Sequence, residues 1–338
     1  MIKIAATIKD VARYTGLSIA TISKYINGGN VLEKNRVLIE EAIKALDFKV
    51  NEIARGLKTN KSMTIGVLIP SLENVFITSI ISNIESILIQ NGYSTIICDY
   101  RENEKLEREK TEFLLSKMVD GIITMPYSNN GEHIKRALEK NIPVVLIDRP
   151  IKDVNCDVVL VDNLNASYDA IEQLITRGHK RIGIICGPEE IFTSQERLKG
   201  YLRVYEDYSM EVDPRLIKHG NYQIDSGYKL TNELLDMEPR PTAIYVTNYE
   251  MTLGAIMAIN ERGVSIPDEL SIIGFDNIQM AKIVKPPLSI VVQPMQQIGE
   301  TAANILLKRL KGDMSNYPSM FRLKTEVLIR DSISSITT

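Results

Sequence analysis

The sequence predicts an α/β protein: a small helical head, a linker able to form one brief helix, and two lobes of doubly wound parallel sheet. Three observations predict it. Residues 5–47 read as short helical stretches separated by tight glycine breaks. From Ile65 onward the texture changes to short apolar runs alternating with amphipathic stretches. The runs number about nine over some 270 residues, more than one comfortable sheet, so two sheets with a break near 160–165 fit better.

In the head, Thr7 is placed to cap a helix on which Ile8, Val11, Ala12 and Tyr14 fall at helical spacing. Gly16 is expected to end it. Ser18 caps a second helix, IATISKYING, which stops at Gly28 and Gly29. A third is expected from about Lys34 to Leu46, with Val37, Ile39, Ile43 and Leu46 as core candidates. Two short helices joined by a turn of about three residues containing glycine is the helix-turn-helix spacing. The polar, basic stretch FKVNEIARGLKTNKSMT follows as a linker, with Asn51 able to cap a brief helix.

The runs beyond it are TIGVLIP, YSTIICDY, DGIITMP, IPVVLIDRP, DVVLVDN, KRIGIICG, PTAIYVTN, LSIIGFDN and LSIVVQP. Near-continuous apolar strands bounded by turn residues are buried on both faces, which means parallel sheets with helices on each side. Polar or aromatic residues follow the runs: Asn74 and Phe76, Asp148 and Arg149, Asp162, Asn248, Asp276 and Gln293. Ligands of open α/β sheets bind outside the carboxyl ends of the strands, so two facing lobes would gather these groups in one cleft. The competing reading is that each Asp or Asn only caps the helix behind it.

Composition narrows the function. The 338 residues are 44% hydrophobic with a net charge of −3, which excludes a disordered chain. Residues 1–61 hold 11 basic and 6 acidic residues, a balance of +5, against −8 in the remainder, so the head suits an anionic partner. No apolar run approaches a membrane span, and the start has no signal-peptide core; a cytoplasmic protein with no membrane partner is expected. Cys98, Cys156 and Cys186 are too few and scattered for a disulfide framework or a zinc site. The three histidines are isolated: His179 reads as a satisfied structural residue, His133 and His219 as surface loop or helix-start residues. No phosphate-binding glycine loop or nucleophile elbow is present, so neither catalysis nor a cofactor or metal is expected.

The stretch ATIKDVARYTGLSIATISKYING resembles the DNA-binding head of the LacI/GalR family of bacterial transcription regulators. The resemblance continues through NEIARGLKTNKSMTIGVLIP, RGHKRIGIICGP, ERLKGY, IPDELSIIGFDN and VVQPMQQIGE, in family order, over essentially the whole chain. It implies a head over residues 1–48, a hinge helix and linker over 49–62, and a periplasmic-binding-protein-like core over 63–338. The core lobes would span about 63–161, with a C-terminal crossover, and about 162–290. It also implies a homodimeric repressor of pseudo-palindromic double-stranded operator DNA, controlled by a sugar or sugar-acid effector. On the matching positions, Ile19, Ala20 and Lys24 would read base edges, while Ser18, Thr21, Ser23 and Asn27 would serve phosphates or caps. Leu57 would wedge into the minor groove from a hinge helix carrying Asn51, Ala54, Arg55 and Lys58.

In the cleft the resemblance makes Phe76 and Tyr222 aromatic walls. Asn74, Asp148, Arg149, Arg197, Asn248, Asp276 and Gln293 become the polar lining, with Asp162 at its edge, while Arg101 either adds a positive charge there or is a solvated surface residue, the reading preferred. Three departures stand out: Val50 where most members have proline, Ile191 where purine-responsive members have arginine, and Tyr249 where most relatives have aspartate. Without that aspartate, Glu250 or the Asn248 amide must cap the next helix. Two alternatives remain: control by a phosphorylated carrier protein as co-repressor, and a sugar-binding protein with no DNA role. The tail RDSISSITT shows no leucine heptad, so nothing there supports a tetramerising coiled coil.

Overall fold

The computed structural model describes residues 6–26, 28–49, 61–127, 129–276 and 279–336. These divide into two compact units, Met1–Met63 and Thr64–Thr338.

The first unit holds α1 (Ile8–Thr15), α2 (Ile19–Ile26) and α3 (Glu33–Ala45). The Asp10 carboxylate reaches back to the Thr7 N–H (2.9 Å) and hydroxyl (2.7 Å), fixing the start of α1. Gly16, at φ 69°, closes that helix by donating its N–H to the Ala12 carbonyl. Ser18 Oγ accepts from the Thr21 N–H (3.1 Å), so α2 begins where its cap dictates. Gly28 and Gly29 donate to the carbonyls of Tyr25 and Lys24, stopping it. The core of this unit is Val11, Ile22, Ile39 and Ala42. Val37, expected in the core, is 47% exposed, and Tyr14, on the helical spacing of α1, is 58% exposed. So small a unit has room for little more than one buried residue per helical turn, and these two fall just off the packed stripe.

The second unit carries two six-stranded sheets. The first contains β1 (Thr64–Ile69), β2 (Ser94–Asp99), β3 (Gly121–Thr124), β4 (Val144–Ile147), β5 (Asp157–Val161) and β11 (Met320–Leu323). The second contains β6 (Ile182–Cys186), β7 (Ile217–His219), β8 (Ala243–Val246), β9 (Ser271–Phe275), β10 (Ser289–Val292) and β12 (Glu326–Leu328). The strand orders are β2-β1-β3-β4-β5-β11 and β7-β6-β8-β9-β10-β12, the same winding twice. All pairings are parallel except β10 with β12. The nine apolar runs are all strands. The three strands without a run, β7, β11 and β12, are edges of three or four residues, too short and too exposed for an apolar signature. β2 is also an edge and only partly buried, contrary to the two-sided burial its run suggested, with Ile97 41% exposed.

The helices of the first sheet are α4 (Val75–Gln90), α5 (Glu104–Ser116), α6 (Glu132–Glu139) and the returning α12 (Met295–Leu310). Those of the second are α7 (Asn163–Ile175), α8 (Phe192–Asp207), α9 (Ile224–Leu235), α10 (Tyr249–Glu261) and the one-turn α11 (Met280–Ile283). α9 and α10 touch backbone to backbone: a Cβ on Gly254 would lie 2.0 Å from the Ile224 carbonyl oxygen. α12 is tied to the first sheet by a buried fork, with Arg309 donating 2.8 Å bonds to both Asp157 oxygens. No helix among the described residues is long and apolar enough to cross a membrane.

His133 corrects the sequence reading. It is 3% exposed, on the face of α6 turned toward α5, with Nε2 3.5 Å from the buried Glu107 carboxylate. One position inside the helix start, it looked solvated; packing on α5 decides otherwise. His179 is satisfied as expected, bonded to Thr242 Oγ1 (2.9 Å) and the Ser334 carbonyl (3.1 Å).

Candidate functional sites in the head and in the cleft

In the head, α2 buries only Ile22 and turns its other face outward. Ser18, Ala20 and Lys24 are exposed, and Ile19 is 46% exposed, an apolar side chain left open among the described residues. Thr21 and Ser23 are half-buried, and the Thr21 hydroxyl is bonded to Ser18 Oγ at 2.9 Å. Tyr25 and Arg36 both bond the Glu40 carboxylate, at 2.8 and 3.0 Å, bracing α2 on α3. Asn27, Val50, Asn51, Ala54, Arg55, Leu57 and Lys58 lie outside the described residues.

The candidate cleft residues of the second unit lie at strand ends. Asp148 follows β4 and Asp276 follows β9, which occupy the same place in the two sheets. Both residues are left-handed, at φ 71° and 82°. Each donates its N–H to the neighbouring strand, Asp148 to Val159 (2.9 Å) and Asp276 to Val291 (2.7 Å). Neither residue caps a helix: β4 is followed by β5 with no helix between them, and the N-cap of α11 is Gln279. Asp148 is met by Arg149, whose Nε and Nη2 donate at 3.2 and 3.1 Å. Asp276 is met by the Gln293 amide. Burial pushes the Asp276 carboxyl above the ordinary range, against the pull of Arg197 and the Gln293 bond. Gln293 Oε1 is buried with no partner among the described residues.

Arg197 reaches the same place from α8. Its Nε donates to Asn163 Oδ1 (2.8 Å), its Nη1 to the Thr247 carbonyl (2.5 Å), and its Cζ lies 3.8 Å from the Phe275 ring centroid. Tyr222, at φ 64°, lays its ring against Gly187, where a Cβ would sit 2.0 Å from the ring. Only glycine admits the ring there. Phe76 is half-buried and packs on the core of the first sheet.

The helix-capping reading proves correct for three residues and incomplete for two of them. Asp162 spends its carboxylate on the Asn165 backbone and side chain (3.5 and 2.7 Å). Asn74 and Asn248 cap α4 and α10 with Oδ1, accepting at 3.1 Å from Ile77 and Met251. Each keeps its amide N–H groups, and both amides donate to one carboxylate: Asn74 to Glu250 Oε1 (2.9 Å) and Asn248 to Glu250 Oε2 (2.8 Å). The missing aspartate at Tyr249 is therefore replaced by Asn248, which also donates to the Tyr222 carbonyl (3.1 Å). Burial, with Asp276 and Glu102 as like charges, pushes the Glu250 carboxyl up to about 7. Sequence reasoning placed Glu250 only as a cap candidate; its spacing from Asn248 was the available signal. Tyr249 is half-buried beside it, Ile191 is buried at the start of α8, and Arg101 is exposed.

Residues 7–51 match the model of bacterial regulatory proteins of the lacI family, and residues 171–333 that of a periplasmic binding protein-like domain. The chain is 37% identical to catabolite control protein A of Priestia megaterium, over 89% of this chain and 92% of that one. It is 33% identical to the HTH-type transcriptional repressor PurR of Vibrio atlanticus (strain LGP32), over 98% and 99%. Among solved structures, a lac repressor dimer bound to operator and the anti-inducer ONPF superposes with a TM-score of 0.88 at 25% identity, covering 98% of this chain and 100% of that one. A complex of the transcriptional regulator CelR with cellobiose gives 0.74 at 26%, covering 97% and 99%. These relatives are regulators rather than enzymes. With a helix-turn-helix head, two sheets of repeated winding and matches along almost its full length, the chain belongs to the lacI family of DNA-binding bacterial transcription regulators.

Proposed function

We propose that the protein is a homodimeric repressor whose operator affinity is set by a neutral polyhydroxylated sugar held in the cleft. The observation that carries the choice of effector is the commitment of both cleft arginines. Arg149 spends its fork on Asp148, and Arg197 spends Nε and Nη1 on Asn163 and Thr247. Three carboxylates, Asp148, Asp276 and Glu250, stand against these two cations. A uronate would add a charge beside these carboxyl groups, whereas sugar hydroxyls can donate to them and to Gln293 Oε1, which has no partner among the described residues. Phe76 and Tyr222 supply the apolar walls for a ring.

Operator reading is assigned to the outer face of α2, with Ile19 and Ala20 on thymine methyls and Lys24 on guanine. A thermal-shift panel of neutral sugars, uronates, sugar phosphates and purines tests the effector. At ~100 times its dissociation constant a ligand adds about 2.7 kcal/mol, and the rise in midpoint is expected with neutral sugars alone. A rise with a uronate and none with its parent sugar would overturn the effector class. For the head, Lys24→Ala is expected to cost about 1–3 kcal/mol at a single base pair of the operator, read by titrating operator variants.

A further inference from the structure

We propose that Glu250 is the clasp of the cleft: a positioning residue that joins the lobes by accepting one amide hydrogen bond from each helix-capping asparagine, Asn74 and Asn248. The inference rests on the cleft being the effector site and adds what holds that site shut.

Asn74 caps the helix that follows β1 in the first lobe, and Asn248 the helix that follows β8 in the second. Because Oδ1 of each is fixed by its cap, each amide has a fixed direction, and the two converge on one carboxylate at 2.9 and 2.8 Å. Opening the lobes must break the Asn74 bond, while the Asn248 bond stays within one helical turn. Closing therefore takes Glu250 from water into the space between the lobes. The charged groups facing it there are Asp276 of the second lobe and Glu102 of the first, both acids, with Tyr249 beside it. Among the described residues the donors to this carboxylate are the two asparagine amides and its own backbone N–H.

The sign of the pH dependence follows. The closed state raises the Glu250 pKa to about 7, above the ordinary carboxylate value expected when the cleft is open. Closing thus takes up a proton, and the protonated group keeps two oxygens that can accept from the asparagines. The closed form is favoured below the ordinary carboxylate range and loses this advantage as pH rises toward 7. Above about 7 both states carry the charge and the dependence levels off.

The test measures lobe separation without any effector, so its outcome is independent of which sugar, if any, binds. The full chain carries spin labels at Leu72→Cys and Glu189→Cys, two exposed positions on opposite lobes, diluted with unlabelled chain so that each assembly holds one labelled copy. Electron–electron distances are recorded from pH 5.5 to 8.5. The closed-to-open ratio should fall up to about tenfold per unit as pH rises toward 7, then flatten. Glu250→Gln should abolish the slope, since glutamine cannot titrate and turns an N–H toward one asparagine. Asn74→Ala, which leaves the carboxyl in place, should lower the closed fraction at pH 6. All three histidines remain in both variants, so they cannot produce the difference. A slope in Glu250→Gln equal to that of the parent, or an Asn74→Ala chain as closed as the parent at pH 6, would overturn the clasp.

Discussion

The two lobes share one winding but meet the same structural demand with different chemistry. Asp157 opens β5 in the first lobe, and Ser289 opens β10 at the equivalent place in the second. Asp157 is fully buried and takes both oxygens to the Arg309 fork, with the Ser319 N–H as a third donor at 2.8 Å. Ser289 is fully buried too, but a neutral hydroxyl serves it: Ser332 Oγ accepts its N–H at 2.7 Å and donates to the Ile272 carbonyl at 2.7 Å. The contrast repeats one strand over, where Asp148 faces Arg149 and its counterpart Asp276 faces Gln293. Where an acid is matched by a cation, removing either leaves a buried charge. Where it is matched by a neutral group, the same loss is smaller and can change sign.

The largest break should come from Arg309→Leu. It strands the Asp157 carboxylate in the sheet and removes the bonds of Arg309 to the Asp313 and Ser315 carbonyls. The cost should be about 3–5 kcal/mol, read from denaturant unfolding. The double change Arg309→Leu with Asp157→Leu should recover a good part of it, because no charge is then left inside. Should the double variant be less stable than the single, the buried charge is not what makes Arg309→Leu costly.

Asp148→Asn comes next, at about 2–3 kcal/mol, since the Arg149 guanidinium keeps only a neutral acceptor while its side chain is 16% exposed. In the second lobe, Ser332→Ala removes one hydroxyl and leaves the Ser289 N–H and the Ile272 carbonyl short of a partner. It should cost about 1–2 kcal/mol by the same unfolding measurement.

Most of this asymmetry could not be read from the sequence, and the reason is physical. The nine apolar runs were legible because a strand buried on both faces leaves little freedom in residue type. Strand-end residues such as Asp148 and Asp276 were legible because strand ends are where open sheets bind ligands. Which partner each acid takes is a long-range fact: Arg309 is 152 positions from Asp157, and Glu250 is 176 from Asn74. No local pattern encodes such pairs. Glu250 in the first turn of a helix is also what the helix dipole favours on any exposed helix, so its spacing did not distinguish clasp from surface. His133 was hidden for the same reason, one position inside a helix start, until packing on α5 showed where it points.

Asp276→Asn should give the smallest effect and the opposite sign. In the folded chain burial raises the Asp276 carboxyl above its ordinary range, so the folded state binds the proton more tightly than the unfolded chain. Its stability contribution is most favourable below the ordinary carboxylate pKa and is lost as pH rises through the raised value. As pH rises through that raised value the parent takes on a buried charge that asparagine does not, and above it the variant should match or exceed its stability by up to about 1 kcal/mol. At pH 4 the advantage should shrink. Thermal midpoints of parent and variant across pH 4–8 measure this directly. A variant destabilised at pH 7 by as much as Asp148→Asn would mean that Arg197 acts toward Asp276 as Arg149 acts toward Asp148. The two lobes would then differ in which element supplies the cation, α8 in the second and the strand end itself in the first, rather than in whether a cation is needed.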